Sequence, residues 1–231
     1  MKKHILQIIG ICFIAFLSAC QGDIKISKNL NQKIGINPDY QDVTIPYNIA
    51  PLDFCITRTE PSCLIIEGKN SSFQVHGKDG YFIIPQSDWK EMLANNKGGK
   101  IKLTVCLEQN GEWCGYLPFY IEVATEPIDK YIAYRLIPPG YELWNKMGIY
   151  QRCLEDYEQS AIFENKMTEG NCVNCHSFCM QSPEKMLFHS RAKYAGTVMI
   201  QNGKIEKLNT KTPQTVSALV YPSWHPSGEF V

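Results

Sequence analysis

The sequence predicts an α+β, mainly β protein, in which a β-sandwich-like domain precedes a helical segment and a second β region. Two observations support this class. Short apolar runs separated by turn residues fill residues 40–126, which is typical of strands. Across residues 127–192 the apolar spacing changes to three or four residues, which is typical of an amphipathic helix. A hydrophobic content of 44% with 11% aromatic residues favours a folded chain.

The amino terminus is typical of a secretory signal peptide over residues 1–19. Lys2 and Lys3 precede an apolar run over residues 5–16, which is too short to span a bilayer comfortably. The small residues before Cys20 resemble a bacterial lipobox, in which the cysteine carries lipid and becomes the first residue of the mature protein. An ordinary secretory signal that happens to precede a cysteine is the alternative.

The lipobox resemblance also implies a location. Lipid on Cys20 would anchor the mature chain to a membrane, since several acyl chains hold far more stably than one. Gln21 follows, whereas an Asp there favours inner-membrane retention in the lipoproteins that this segment resembles. We therefore expect an outer-membrane lipoprotein that faces the periplasm or the cell surface, with residues 20–39 as a linker.

The region 40–126 is expected to hold six strands and one short helix. Ser87 is the expected N-cap of a helix over Trp89–Asn95, which Gly98 and Gly99 would stop. If Asn110 and Gly111 form a two-residue hairpin turn, Leu107 lies opposite Cys114 and Cys106 opposite Gly115. The expected strands cover residues 53–56, 63–66, 72–76, 81–84, 101–105 and 116–123.

Residues 127–192 are expected to form a helical segment. Pro138 and Pro139 mark a break, after which apolar residues recur at a spacing of three to four, as on one face of a helix. These residues are Ile149, Tyr150, Cys153, Leu154, Tyr157, Ala161 and Ile162.

The most specific motif lies within this segment, at Cys172-Val173-Asn174-Cys175-His176. Two cysteines separated by two residues and followed directly by histidine are the pattern of covalent c-type haem attachment. Cys172 and Cys175 would form thioethers with one haem, and His176 would be an axial iron ligand. A structural disulfide or redox dithiol and a zinc site are the alternatives, but we see no second ligand pair at zinc spacing.

The second axial ligand decides whether the iron is closed or open to other molecules. His189 is the expected ligand, because the residues between it and His176 are enough to loop around a haem edge. Met180, Met186 and Met199 are the alternatives.

Six other cysteines remain in a chain that we expect to be exported, where disulfides form readily. They allow 15 pairings, and the sequence does not choose among them. These residues are Cys55, Cys63, Cys106, Cys114, Cys153 and Cys179.

Charge and motifs argue against several classes of function. The 23 Lys and Arg residues equal the 23 Asp and Glu residues, so the chain lacks the basic excess of nucleic-acid-binding proteins. We find no catalytic motif such as paired carboxylates, a Ser/His/Asp order or a phosphate-binding glycine loop. The sequence therefore identifies no catalytic residue.

The second β region covers residues 193–231. Gln201-Asn202-Gly203 predicts a hairpin between strands at 197–200 and 204–208. The stretch from Tyr221 to Gly228 resembles the opening of a blade in TolB-like (WD40-like) β-propellers. The resemblance implies that this region is the start of a propeller, incomplete because one blade cannot close a ring.

The chain as a whole resembles Gram-negative lipoproteins that join an N-terminal β domain, a haem-attachment segment and a TolB-like propeller. Four stretches carry the resemblance. It implies this architecture more than an activity, and we expect a lipid-anchored electron-transfer or redox-sensing protein with one haem c. A binding or assembly lipoprotein with no redox activity is the alternative. The stretches are residues 37–52, 134–141, 172–178 and 221–228.

Overall fold

The computed structural model describes residues 22–139, 146–215 and 218–231. These residues are mainly β, as predicted, with 40% strand and 10% helix. They form sheets of seven, three, four and two strands, none of which closes into a ring. The expected signal peptide and Cys20 lie outside the described residues. Within the described ranges, no helix has the length and apolar character needed to span a membrane.

The described residues from 22 to 126 contain nine strands and one helix. These elements are β1 (Lys28–Asn29), β2 (Thr44–Ile45), β3 (Phe54–Cys55), β4 (Ser62–Glu67), β5 (Ser72–Gly77), β6 (Tyr81–Phe82), α1 (Gln86–Asn95), β7 (Lys100–Gln109), β8 (Glu112–Gly115) and β9 (Phe119–Val123). The order β1-β8-β7-β4-β5 forms the main path of the large sheet, and β9 joins β2 to the other half of β7. Strands β3 and β6 pair separately.

One apolar core joins the large sheet to α1 and the β3–β6 pair. Helix α1 buries Trp89, Met92 and Leu93, which share one face because they are three or four residues apart. The Trp89 indole Nε1 donates a hydrogen bond to the Ile49 carbonyl at 3.0 Å, so the one polar atom of this buried ring is satisfied. The helix holds this core together from one side.

The helix boundaries differ from the prediction at the amino end. Ser87 lies inside α1, and Pro85 is the N-cap without a side-chain hydrogen bond, so the predicted cap was wrong. Pro85 has no N–H and its ring fixes φ, here −59°, so the helix can begin directly after it. The predicted end at Asn95 is confirmed.

The Asn110-Gly111 hairpin is confirmed in detail. Both residues have positive φ, 54° and 81°, as a tight hairpin turn requires. Leu107 lies opposite Cys114 and Cys106 opposite Gly115, as the turn predicts.

Residues in the expected linker contribute to the same sheet. Lys28 and Asn29 pair in parallel with Cys114 and Gly115, so β1 extends the sheet beyond β8. Ile24, Ile34 and Ile36 are also buried. The packed region therefore begins within residues 20–39.

The expected helix over residues 149–162 was wrong. This region is a three-stranded antiparallel sheet of β10 (Tyr131–Leu136), β11 (Gly148–Cys153) and β12 (Gln159–Glu164). A bulge in β12 places Ile162 between the residues that pair with Ile149 and Tyr150, and Tyr157 turns the chain with a φ of 63°. Two short strands with a bulge and a turn can space apolar residues three or four apart, as a helix does.

Residues 173–208 form a four-stranded antiparallel meander. Its strands are β13 (Val173–Phe178), β14 (Lys185–Ser190), β15 (Gly196–Gln201) and β16 (Lys204–Leu208). The predicted β15–β16 hairpin is confirmed, with Asn202 and Gly203 at its turn. Within the expected helical haem segment, the motif is therefore strand from Val173 to His176, directly after Cys172.

A small apolar core joins the meander to the three-stranded sheet. Ile149 of β11 packs with Val173, Met186 and Phe188, and the Phe163 and Phe188 rings are 4.9 Å apart. The motif strand β13 therefore lies beside the three-stranded sheet.

Candidate functional site

The haem-attachment motif contains a β-bulge. Asn174 pairs with His189 and Ser177 pairs with Leu187, so two residues of β13, Cys175 and His176, lie opposite one residue of β14. Cys175 has a φ of 60°, in the left-handed region. Bulges are common beside functional sites because they redirect side chains out of the regular alternation. The sequence did not predict this bulge.

Both cysteines of the motif are half-buried. Burial is the main cause that raises the pKa of the Cys175 thiol, and the nearby Cys172 thiol raises it further. The positive charges of Arg191 and Arg135 act in the opposite direction. The Cys175 thiol is therefore within electrostatic range of the Cys172 thiol and of two guanidinium groups.

His176 is half-buried and faces strand β10. Its ring lies edge-on to the Phe178 ring, with centroids 6.2 Å apart. Burial lowers the pKa of His176 most, and Arg135 lowers it further. A hydrogen bond to the Ala133 backbone acts in the raising direction, as when a ring N–H donates to a carbonyl. A lowered pKa favours the neutral imidazole, which is the form that binds metals.

A cavity of about 570 Å³ lies near this histidine, although Cys172, Cys175 and His176 do not themselves line it. Ala133 and Phe178, which both contact His176, line it. The volume lies in the range of roughly 300–1,000 Å³ that is typical of small-molecule and cofactor sites. Its other apolar lining residues are Ile128, Tyr131, Ile132, Leu154 and Pro183, and its charged lining residues are Asp129 and Lys130.

The structure does not bring His189 to His176. His189 is 3% exposed, and its Nδ1 lies 3.2 Å from the Thr197 hydroxyl. Its neighbour Phe188 faces the apolar core that includes Phe178, so His189 faces the other side of the sheet. Burial and then Arg191 lower the pKa of His189. His176 contacts Ala133 and Phe178, whereas His189 contacts Thr197.

The three methionine alternatives lie in different surroundings. Met186 is buried in the small core, opposite Phe178. Met199 lies opposite Leu187 on β15 and is half-buried. Met180 is 62% exposed in the short 3-10 turn Cys179–Gln181, whose last residue lines the cavity. Met180 is therefore adjacent in sequence to a lining residue, and Met186 is the strand partner of another, Phe178.

The sequence alone did not predict three residues near this site. Arg135, Arg191 and Ala133 are distant from the motif along the chain and reach it through strand packing. The only available signal was the position of Arg135 in one stretch of the lipoprotein resemblance, and it indicated no role.

No protein-family model matches the chain, and no curated protein or solved structure matches it either. Within the part of the chain that the structure describes, no group of three or more His, Cys, Asp or Glu side chains is arranged to hold a metal ion.

Proposed function

We propose that the chain is a c-type haem protein in which Cys172 and Cys175 bind one haem covalently and His176 is an axial ligand. The observation that carries this proposal is the bulge, which takes Cys175 and His176 out of the strand ladder. Two residues that contact His176, Ala133 and Phe178, line the nearby cavity. Haem c, when bound, supplies one-electron exchange at its iron. The proposed activity is therefore electron transfer or redox sensing.

The surroundings of the motif fit this cofactor in three respects. The lowered pKa of His176 favours a neutral ring, and its bond to the Ala133 backbone orients that ring. The apolar residues of the cavity suit a macrocycle, which has few polar atoms at its faces. Arg135 and Arg191 provide positive charge near Cys175, which complements the carboxylates of haem.

We restrict the proposed ligand set to Cys172, Cys175 and His176. A ligand role for His189 requires that its hydrogen bond to Thr197 break and that it reach the other side of the sheet. Met180 is only four residues from His176, so at most roughly 14 Å of extended chain would have to pass around a haem edge. Met186 would have to leave the small core.

The membrane location belongs to the same proposal. Lipid on Cys20 would hold the protein at the outer membrane and would keep the haem near redox partners there. The balance of 23 positive and 23 negative residues supports no nucleic-acid partner.

The test is haem content in chain that is exported from cells containing the cytochrome c maturation machinery. We expect a Soret band, a pyridine haemochrome shifted as for thioether-linked haem, and one haem on the tryptic peptide with Cys172 and Cys175. The Cys172→Ser/Cys175→Ser double variant should lose the covalent haem. Cys179→Ser is the matched control, since Cys179 lies outside the attachment spacing, and it should keep the haem. Wild-type chain without haem would refute the proposal.

One observation favours a second function, a binding or assembly module. Strands β13 to β16 form a four-stranded antiparallel meander, as in one propeller blade. Trp224, from the stretch that resembles a blade opening, contacts the first two of these strands. If the haem assay is negative, this alternative becomes the leading proposal.

A further inference from the structure

Two buried cysteines lie directly opposite each other at the centre of the large sheet. Cys63 on β4 and Cys106 on β7 are antiparallel partners, and both are 0% exposed. Opposite residues of an antiparallel pair direct their side chains to the same face, with Cα atoms roughly 4.5–5.5 Å apart. A disulfide requires Cα atoms about 4.4–6.8 Å apart. The strand register therefore meets the main geometric requirement.

The other cysteines have different strand partners. Cys55 lies opposite Tyr81, and Cys153 lies opposite Tyr131. Cys114 lies opposite Leu107, so the pleat directs it to the other face from Cys106. Among the six cysteines whose pairing the sequence left open, strand register sets only Cys63 and Cys106 opposite each other.

Both thiols are buried among mainly apolar side chains, and the Cys63 Sγ also lies 3.6 Å from the Gln74 Oε1. They cluster with Ile24, and Ile26, Ile65 and Trp113 pack against them. Burial raises the pKa of Cys63 to about 11 and that of Cys106 to about 12, with the neighbouring thiol of Cys63 as the next cause for Cys106. The thiolate is the reactive form, so these groups react poorly once folded. The bond would therefore form during folding, before β4 and β7 are covered.

We propose that Cys63 and Cys106 form a disulfide that links the two central strands of the sheet. Two S–H bonds break and one S–S bond forms, and a disulfide of a thiol oxidant accepts the two electrons and becomes a dithiol. The two protons pass to the resulting thiols or to water. The inference rests on export to an oxidising compartment and is independent of the haem.

The experiment is a disulfide map of the full-length exported chain. The protein is denatured without reductant, alkylated, and cut with trypsin and a glutamate-specific protease. Cleavage after Glu108 and Glu112 separates Cys106 from Cys114. We expect a linked pair of peptides, one with Cys63 and one with Cys106, which disappears when reductant is added.

Single substitutions test whether each of the two cysteines is the partner of the other. Cys63→Ser should make Cys106 available to the alkylating reagent, and Cys106→Ser should do the same for Cys63. Cys114→Ser is the matched control on the adjacent strand and should preserve the link. If these variants fail to fold, the wild-type map alone decides. Alkylation of both thiols in unreduced wild type, or a link from either to another cysteine, would overturn the proposal, whatever the haem assay shows.

Discussion

The Trp224 indole Nε1 donates a hydrogen bond to the Ser177 carbonyl at 3.1 Å. Ser177 directly follows His176 and ends the bulge, so the carboxy-terminal segment contacts the motif strand where it departs from regular pairing. Lys185 supports this contact, since its Nζ lies over the Trp224 ring and donates to the Gly228 carbonyl at 2.8 Å. Contacts from residues 224–228 thus help to fix the backbone of the motif strand.

Trp224→Phe should lower the free energy of unfolding by about 1 kcal/mol, because it keeps an aromatic ring but removes the donor to Ser177. Urea denaturation measures the change. Tyr221→Phe is the control, since the Tyr221 side chain is largely exposed and its hydroxyl has only a long contact with Arg191 at 3.4 Å. An equal loss in both variants would show that the Trp224 bond has no specific effect.

Stability of the haem-free protein should fall as the pH drops below the ordinary histidine pKa of about 6.5. His176 and His189 both have lowered pKa values in the folded state, so the unfolded chain binds more protons in this range. Their contribution is present above the unfolded pKa and is lost as the pH falls toward the folded values.

Urea denaturation between pH 5 and 8 measures this effect. His176→Gln should have a shallower loss of stability below about pH 6.5 than wild type, and the two curves should run parallel between pH 7 and 8. A slope in His176→Gln as steep as in wild type would contradict the assignment of this effect to His176.

Substitution of His189 should leave the iron of the haem-loaded protein unchanged. His189 bonds to Thr197 on the side of the sheet away from Phe178, so His189→Gln should keep the ferric spin state and the ferrous response to carbon monoxide. His176→Gln, in contrast, should largely abolish stable haem incorporation. Conversion to high spin in His189→Gln would restore the sixth-ligand role that the sequence predicts.

Cys20→Ala should release the protein from membranes, because it removes the proposed site of lipid attachment. Cell fractionation with an antibody to the chain measures the distribution. Cys12→Ala is the matched control within the signal peptide and should leave the protein with the outer membrane. Continued sedimentation of Cys20→Ala with that membrane would exclude the lipobox.

The features that sequence predicted correctly depend on local chemistry. Asn110-Gly111 and Asn202-Gly203 adopt positive φ readily, so each turn and the register around it can be read from a few residues. The apolar residues from Ile149 to Ile162 indicated the wrong period, because the β12 bulge and the turn at Tyr157 depend on neighbouring strands. The spacing of apolar residues alone does not distinguish an amphipathic helix from two short strands joined by a turn.

In the candidate site, too, local sequence predicts some features, whereas others depend on neighbouring strands. The spacing of Cys172, Cys175 and His176 identifies the chemistry of attachment, but the bulge exists only because β13 pairs with β14. Ala133 and Arg135 reach His176 from β10, a strand that the sequence analysis assigned to a helical segment. Tertiary packing thus supplies the surroundings of a motif that sequence alone can name.

Strand β7 pairs with β4 along one edge, and with β9 and then β8 along the other. Without it, the large sheet would separate into the fragments β4–β5, β8–β1 and β9–β2. A small two-stranded fragment is marginally stable in water at best. The sheet therefore opens as one cooperative unit, and the amide hydrogens of β7 are the ones that solvent should reach last.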